Sequence, residues 1–481
     1  VSLSIKSFSG AKWMGFARIF NQVIQLLVTI ILSRLLMPSE YGLVGMSMVV
    51  IGFGNIFVEL GLGGAVIHNQ ESSKRDNSNI FWFNVLAGFI LSAIIFLTAP
   101  YVARFYSNEE LIPVIRVLSI AFIINSFSIV PRSLLLKKFK FQTTSLIEIM
   151  ATLISGIFGI ILALNNFGVW SLVYSYIVLK IIQSLTIILL SKFTPIFVFN
   201  YGEVKGMINY GLNVTGFNFI NYWSRQSDTL LIGKFLSASS LGLYNRAYGL
   251  MLLPITQVTH VLSQVIFPAF ASIQNDSVRI KNAYLKLQSV VSFICFPIMM
   301  GLAALASELT MVLFGEQWAG MVLTLRILCF VSLIQSLANS TGWLYTATGN
   351  TKKYLHIGIV NTLVTVTFIF LGVLWGSIEK VAICYLIANV FMFIPLVNWA
   401  GKNIEMSILD VFKKIYSPLF LSVLMGVIIF LTVYYLKEYY NDITRLFIGA
   451  VIGAIFYLGF AFVFKMNAFI QVKEVLLYSK K

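Results

Sequence analysis

Long apolar runs, repeated from one end to the other with short connections between them, constrain this chain more than any other feature. Hydropathy marks about fourteen: residues 13–36, 41–67, 80–103, 112–136, 143–165, 168–190, 211–236, 241–272, 284–314, 320–347, 354–376, 380–398, 415–436 and 443–464. A helix needs roughly 20 residues to cross the hydrocarbon of a bilayer. Backbone in lipid finds no water, so each run must satisfy its own N–H and C=O groups, which a helix does. Of 481 residues, 58% are hydrophobic and 11% charged, against about 25% charged in soluble domains. An ordinary soluble enzyme is excluded, and the expected fold class is an all-α polytopic membrane protein. The first run ends at Ser33-Arg34 without a small-residue cleavage site and reads as a retained span. Cys295, Cys329 and Cys384 lie in apolar segments at unrelated spacing, so no disulfide frame or metal site follows.

The net charge of +16 is first a topology signal. Alternate connections carry 22 of the 34 basic residues, among them Lys74, Arg75, Lys137, Lys138, Lys352, Lys353, Lys402, Lys413 and Lys414. The opposite connections carry 4: Arg104, Lys234, Lys380 and Lys437. The positive-inside rule then predicts that both termini face the cytoplasm. The longest polar connections, 191–210 and 399–414, leave room for short interfacial helices. Met406–Lys414 has apolar and basic faces, and reads equally as a topological stop ahead of span 13.

The chain repeats itself at an offset of 200. Arg34 falls on Lys234, Leu36 on Leu236, Ser39 on Ser239, Gly42 on Gly242 and Leu43 on Leu243. An offset of six spans preserves orientation, so the expectation is two parallel six-helix lobes related by an axis along the membrane normal, with the substrate path between them. The division is 1–200, 201–400, and 401–481 for the two extra spans and tail.

Polar residues inside spans are costly and point to function. Arg18, Asn21, Gln22, Gln25 and Thr29 share one helical face of span 1. Asn218, Asn221, Tyr222, Arg225, Asp228 and Thr229 form a matching face in span 7. The alternative, interhelical hydrogen bonding without a ligand, stays open for the amides. Lys180 lies near the middle of span 6. Asn55 and Glu59, Gln257 with His260 and Gln264, Gln335 with Asn339, Glu148 and Glu308 are weaker candidates. Arg34, Arg116, Arg246 and Arg326 sit near span ends and read as anchors. Arg18, Lys180 and Arg225 make the interior cationic, with Asp228 as a local partner for Arg225. Guanidinium groups bind phosphate bidentately and amides pair with sugar hydroxyls, so an anion carrying hydroxyls suits this set better than a cation.

The turn from Arg34 to Gly42, the Glu59-Leu60-Gly61-Leu62-Gly63-Gly64-Ala65-Val66-Ile67 end of span 2, Tyr244-Asn245-Arg246-Ala247-Tyr248, and Val265-Ile266-Phe267-Pro268-Ala269-Phe270 look like polysaccharide-exporter flippases of the multidrug/oligosaccharidyl-lipid/polysaccharide superfamily. The chain most resembles the Wzx type, in its colanic-acid and teichuronic-acid exporter branch. The resemblance implies a V-shaped pair of six-helix lobes. It implies flipping of an undecaprenyl-diphosphate-linked oligosaccharide across the bacterial cytoplasmic membrane, and work alongside a polysaccharide polymerase and chain-length regulator. It also implies that arginines on spans 1 and 7, here Arg18 and Arg225, meet the diphosphate-sugar.

The expected substrate set is therefore Arg18, Asn21, Gln25, Lys180, Asn218, Asn221 and Arg225. Glu59, Asp228 and Glu308 are the candidates for coupling to H⁺ or Na⁺. No cofactor, metal or nucleic-acid partner is expected. A cation antiporter of the same superfamily would need a cavity dominated by carboxylates. A membrane polymerase would need a sizeable catalytic loop, which the short connections do not provide.

Overall fold

The computed structural model describes residues 2–59, 62–68, 72–202, 205, 222–223, 225–273, 276–347 and 349–471. The predicted site residues Asn218 and Asn221 lie outside them, and Gln264, His260 and Glu59 are described for backbone only. The described residues are helical almost throughout. In chain order the helices are α1 (Ser2–Leu35), α2 (Pro38–Glu59), α3 (Leu62–His68), α4 (Lys74–Tyr106), α5 (Leu111–Lys137), α6 (Phe141–Leu164) and α7 (Val169–Ser191). A helical run at 225–235, labelled α8, follows, with 222–223 helical just before it. Then come α9 (Ala238–Ser272), α10 (Ser277–Ala304), α11 (Ala306–Leu313), α12 (Val322–Ala338), α13 (Thr341–Ala347), α14 (Thr351–Leu374), α15 (Ile378–Gly401), α16 (Ile408–Tyr435) and α17 (Asp442–Val463). Twelve described helical stretches are long and apolar enough to cross a membrane. The protein is an all-α polytopic membrane protein.

Large apolar side chains stand exposed along the outer faces, for example Leu97, Leu189, Leu363, Phe391, Phe447 and Ile455. In water such a surface would drive aggregation, whereas in lipid it is the solvated face. The chain divides into two compact units, Val1–Gly242 and Leu243–Lys481.

In the first unit α4 lies along α5, α5 against α7 and α2, and α6 against α1 and α7. The α4–α5 approach rests on Gly88, where a Cβ would stand 2.6 Å from that of Ser126, the small-residue contact that lets membrane helices pack closely. Within the 191–210 connection, residues 193–200 run extended over the start of α4, and Tyr201, Gly202 and Lys205 are helical. Pro195 has no N–H and keeps Thr194 out of the helical region. Side chains of α4 supply the bonds that a helix would have made internally. Ser78 Oγ accepts from Ile196 N at 3.0 Å, Trp82 Nε1 donates to the Ile196 carbonyl at 3.0 Å, and Asn79 exchanges two bonds with the Asn200 backbone, at 2.7 and 2.9 Å. Phe83 stacks on Phe199 at 4.1 Å.

In the second unit α10 packs on α16 and α12, α12 on α15, α14 on α15, and α16 on α17. The two spans outside the sequence repeat are thus built into this unit, with Tyr457 of α17 donating to the Phe293 carbonyl of α10 at 3.0 Å. Two predicted single spans are broken. The run at 284–314 turns at Leu305 between α10 and α11. The run at 320–347 breaks between α12 and α13, where the buried Ser340 hydroxyl lies 2.7 Å from Gln288 Nε2 and 3.1 Å from the Tyr284 hydroxyl. Hydropathy could not see these breaks, because the polar groups at the second one find partners on α10. Met406–Lys414 is no separate interfacial helix. Ser407 and Asp410 form a capping box that starts α16, so this stretch is the beginning of span 13.

Candidate functional site

Three longitudinal faces divide α1. Ala17, Ile24 and Leu32 are buried on the side that packs on α6, with Val28 seated over Gly156. Phe16, Ile19, Phe20, Val23, Leu27 and Ile31 are exposed and form an apolar face suited to lipid. Arg18, Asn21, Gln22, Gln25 and Thr29 lie about half a turn from that apolar face, at 3.6 residues per turn. Arg18 and Gln25 are exposed, and the Asn21 amide oxygen is buried without a hydrogen-bond partner among the described residues. An exposed polar face opposite a lipid face must meet water or a polar ligand, since a guanidinium in hydrocarbon is costly.

The residues around Arg225 are held against α2. Tyr222 donates to the Val49 carbonyl at 2.6 Å, and its ring fits because position 52 is glycine: a Cβ there would stand 2.6 Å from the phenol oxygen. Phe53 packs on Trp223 with ring centres 5.1 Å apart. Arg225 shares a helical face with Tyr222, Asp228, Thr229 and Ile232. The last three are shielded or buried, while Arg225 is exposed. Asp228 does not pair with it: its carboxylate accepts from the Thr229 backbone at 2.7 Å, and among the described residues Arg225 makes no ion pair.

Lys180 is half-buried on the side of α7 opposite exposed Ile181, Leu185 and Leu189. Its ammonium lies 5.5 Å from the centre of the Tyr176 ring, a cation–π distance. α7 also packs against α2, the helix that carries Asn55. The sequence reading does not single out Tyr176 as a partner of Lys180. The signal was present as i, i+4 spacing of Tyr176 and Lys180 on one face.

Other candidates are engaged elsewhere. Glu308 is 4% exposed and Arg445 8%, and Arg445 Nη1 lies 3.1 Å from Glu308 Oε1 while Nη2 bonds Asp442. This buried cluster joins α11 to α17. Gln335 donates to the Tyr385 hydroxyl at 2.5 Å across to α15, which is helix packing through a polar bond. Glu148 pairs with Arg132 at 2.5 Å. Arg116 lies over Phe96, Arg246 over Phe314 and Trp318, and Arg326 over Phe430, at 4.8 to 5.7 Å, as anchors do.

Comparison with known proteins adds an independent line. The model of a family described as polysaccharide biosynthesis protein matches residues 31–323. The chain is 28% identical over 435 residues to the teichuronic acid biosynthesis protein TuaB of Bacillus subtilis (strain 168), covering 89% of each. It is 24% identical over 431 residues to the succinoglycan biosynthesis transport protein ExoT of Rhizobium meliloti (strain 1021), covering 89% of this chain and 87% of that one. Among solved structures, the lipid II flippase MurJ in an inward closed conformation superposes with a TM-score of 0.77 at 14% identity, over 94% of this chain and 98% of that one. At that identity the likeness is one of fold.

Proposed function

The chain belongs to the polysaccharide biosynthesis protein family, and from that premise we propose that it is a flippase for a lipid-linked oligosaccharide. It moves an undecaprenyl-diphosphate-linked oligosaccharide from the inner to the outer leaflet by alternating access, in surface polysaccharide biosynthesis. It is a transporter and not an enzyme. The observation that carries the reading is the division of α1, which sets Arg18, Asn21 and Gln25 apart from the lipid face. Arg225, exposed and without an ion pair among the described residues, adds a second guanidinium. Guanidinium groups match the bidentate geometry of a diphosphate, and the amides suit sugar hydroxyls. The polyprenyl tail stays in lipid while the head crosses.

The wider proposal keeps the division into 1–200, 201–400 and 401–481, the bacterial cytoplasmic membrane with both termini inside, and cooperation with a polymerase and chain-length regulator. Coupling to H⁺ or Na⁺ falls to Glu59 and Asp228 before Glu308, whose pair with Arg445 would first have to open. The engagement of Glu308 by Arg445 and of Asp228 by Thr229 favours an anionic substrate over a cation antiporter.

Complementation of a deletion strain tests the reading. Arg18→Ala and Arg225→Ala each abolish polymer export and accumulate lipid-linked intermediate at normal protein level, and Arg225→Lys restores part of it. Full export by both alanine variants would overturn the proposal.

A further inference from the structure

A second basic site lies in the unit formed by residues 243–481, apart from Arg18, Lys180 and Arg225. A cavity of about 430 Å³ opens between the ends of α14 and α15. Lys353 and His356 line it from the first turns of α14, and Lys402 from the residue that follows α15. The antiparallel helices thus bring three nitrogen-bearing side chains to one end. Among the described residues no carboxylate lines the cavity and neither lysine forms an ion pair. His356 Nδ1 lies 2.7 Å from the Lys352 carbonyl. A carbonyl can only accept, so Nδ1 carries the hydrogen and Nε2 is the nitrogen left for a ligand.

The walls change character with depth. Lys353, His356, Ile357 and Val360 follow at i, i+3, i+4 and i+7 on one face of α14. From Lys353 to Val360 the helix rises about 10 Å, passing from cationic to aliphatic lining. Trp399 contributes an indole from the last turns of α15, the side chain enriched where hydrocarbon meets headgroups. On the inner wall Tyr345 is 3% exposed, and its phenol oxygen is buried with no hydrogen-bond partner among the described residues. A buried hydroxyl without a partner is costly, and a ligand oxygen would satisfy it. Tyr345 is held there by stacking on Tyr354, with ring centres 5.6 Å apart.

We infer that this cavity binds the phosphate of an anionic lipid headgroup. Lys353, Lys402 and the Tyr345 hydroxyl meet the phosphate oxygens, while Ile357 and Val360 lie along the first carbons of an acyl chain. A free phosphate ion would share the cationic end but gain nothing from the aliphatic wall. The inference does not rest on the flippase reading, because the site is separate from Arg18 and Arg225 and its test does not read export.

The test uses the purified full chain in an uncharged detergent and follows its unfolding temperature. The additions are phosphatidylglycerol, phosphatidylcholine and inorganic phosphate. Phosphatidylglycerol raises the midpoint, and the other two raise it much less. In Lys353→Ala/Lys402→Ala the phosphatidylglycerol shift is at least halved, Lys353→Arg/Lys402→Arg retains it, and Tyr345→Phe reduces it. An equal shift with phosphatidylcholine, or an unchanged shift in the double alanine variant, would overturn the site. A full shift with inorganic phosphate alone would overturn the assignment to lipid. Should the double alanine variant not fold, the three-way comparison on the unaltered chain together with Tyr345→Phe still decides the matter.

Discussion

Gly42 and Gly242, matched at the 200-residue repeat, lie against the start of each other's helix. A Cβ on Gly42 would overlap the carbonyl of Ala238, and a Cβ on Gly242 would overlap the carbonyl of Pro38 and stand 3.2 Å from the Gly42 nitrogen. The contact is reciprocal, Pro38 with Gly242 and Ala238 with Gly42, as a local two-fold relation between the two turns requires. No residue with a side chain fits at either place without moving backbone.

Gly42→Ala and Gly242→Ala should therefore each destabilise the protein by about 1–3 kcal/mol, the range for overpacking. Gly249→Ala, about two helix turns further along α9 where nothing lies within 4 Å, should be neutral or stabilising by up to ~1 kcal/mol through helix propensity. Unfolding midpoints in detergent check this. Equal behaviour of the three variants would contradict the close approach.

The faces of α1 predict a labelling pattern. Cys295, Cys329 and Cys384 are buried, so the background is low. Arg18→Cys and Gln25→Cys should react with a membrane-impermeant, water-soluble thiol reagent in inverted vesicles or permeabilised cells. Ile19→Cys and Leu27→Cys, on the apolar face, should stay unlabelled. The reverse pattern would place the polar stripe in lipid.

Removing Arg445 leaves the buried Glu308 carboxylate alone, whereas removing Glu308 leaves Arg445 paired with Asp442. Arg445→Met should therefore lower stability by about 3–5 kcal/mol and Glu308→Leu by less, and the double variant should recover much of the Arg445→Met loss. A double-mutant cycle on thermal midpoints reads this directly. Strict additivity would mean that the two side chains do not interact.

Asn79 holds the extended segment at both groups of one residue, donating to the Asn200 carbonyl and accepting from its N–H. Asn79→Leu removes both bonds and should cost about 1–3 kcal/mol locally. Hydrogen exchange should rise at 196–200 while the core of α5 stays protected. Unchanged exchange would show that the Ser78 and Trp82 bonds and the aromatic contacts hold the segment without Asn79.

Much of this architecture is legible in the sequence because it depends on neighbours along the chain. The apolar runs predict helices, since lipid leaves the backbone no other way to bond within a segment. The i, i+3, i+4 spacing predicts that Arg18, Asn21 and Gln25 share a face, and α1 places them there. The packing of α7 on α2 brings together positions more than a hundred apart, and no local pattern encodes it. For the same reason Glu308, read as a candidate for ion coupling, has its charge taken up by Arg445. Continuity of a span is also only partly local: the break at Ser340 is stabilised by Gln288 and Tyr284 from another helix.

The sequence by itself determined that this chain spans a membrane as a helical bundle, which faces of its helices are polar, and the 200-residue repeat. These follow from composition and periodicity within single helices. Tertiary structure alone decided which charges remain available and which are cancelled. Among the described residues Arg225 makes no ion pair while Arg445 is neutralised, although both are arginines in apolar spans. The difference is whether a carboxylate from a distant helix comes within reach, and only the folded packing brings one there.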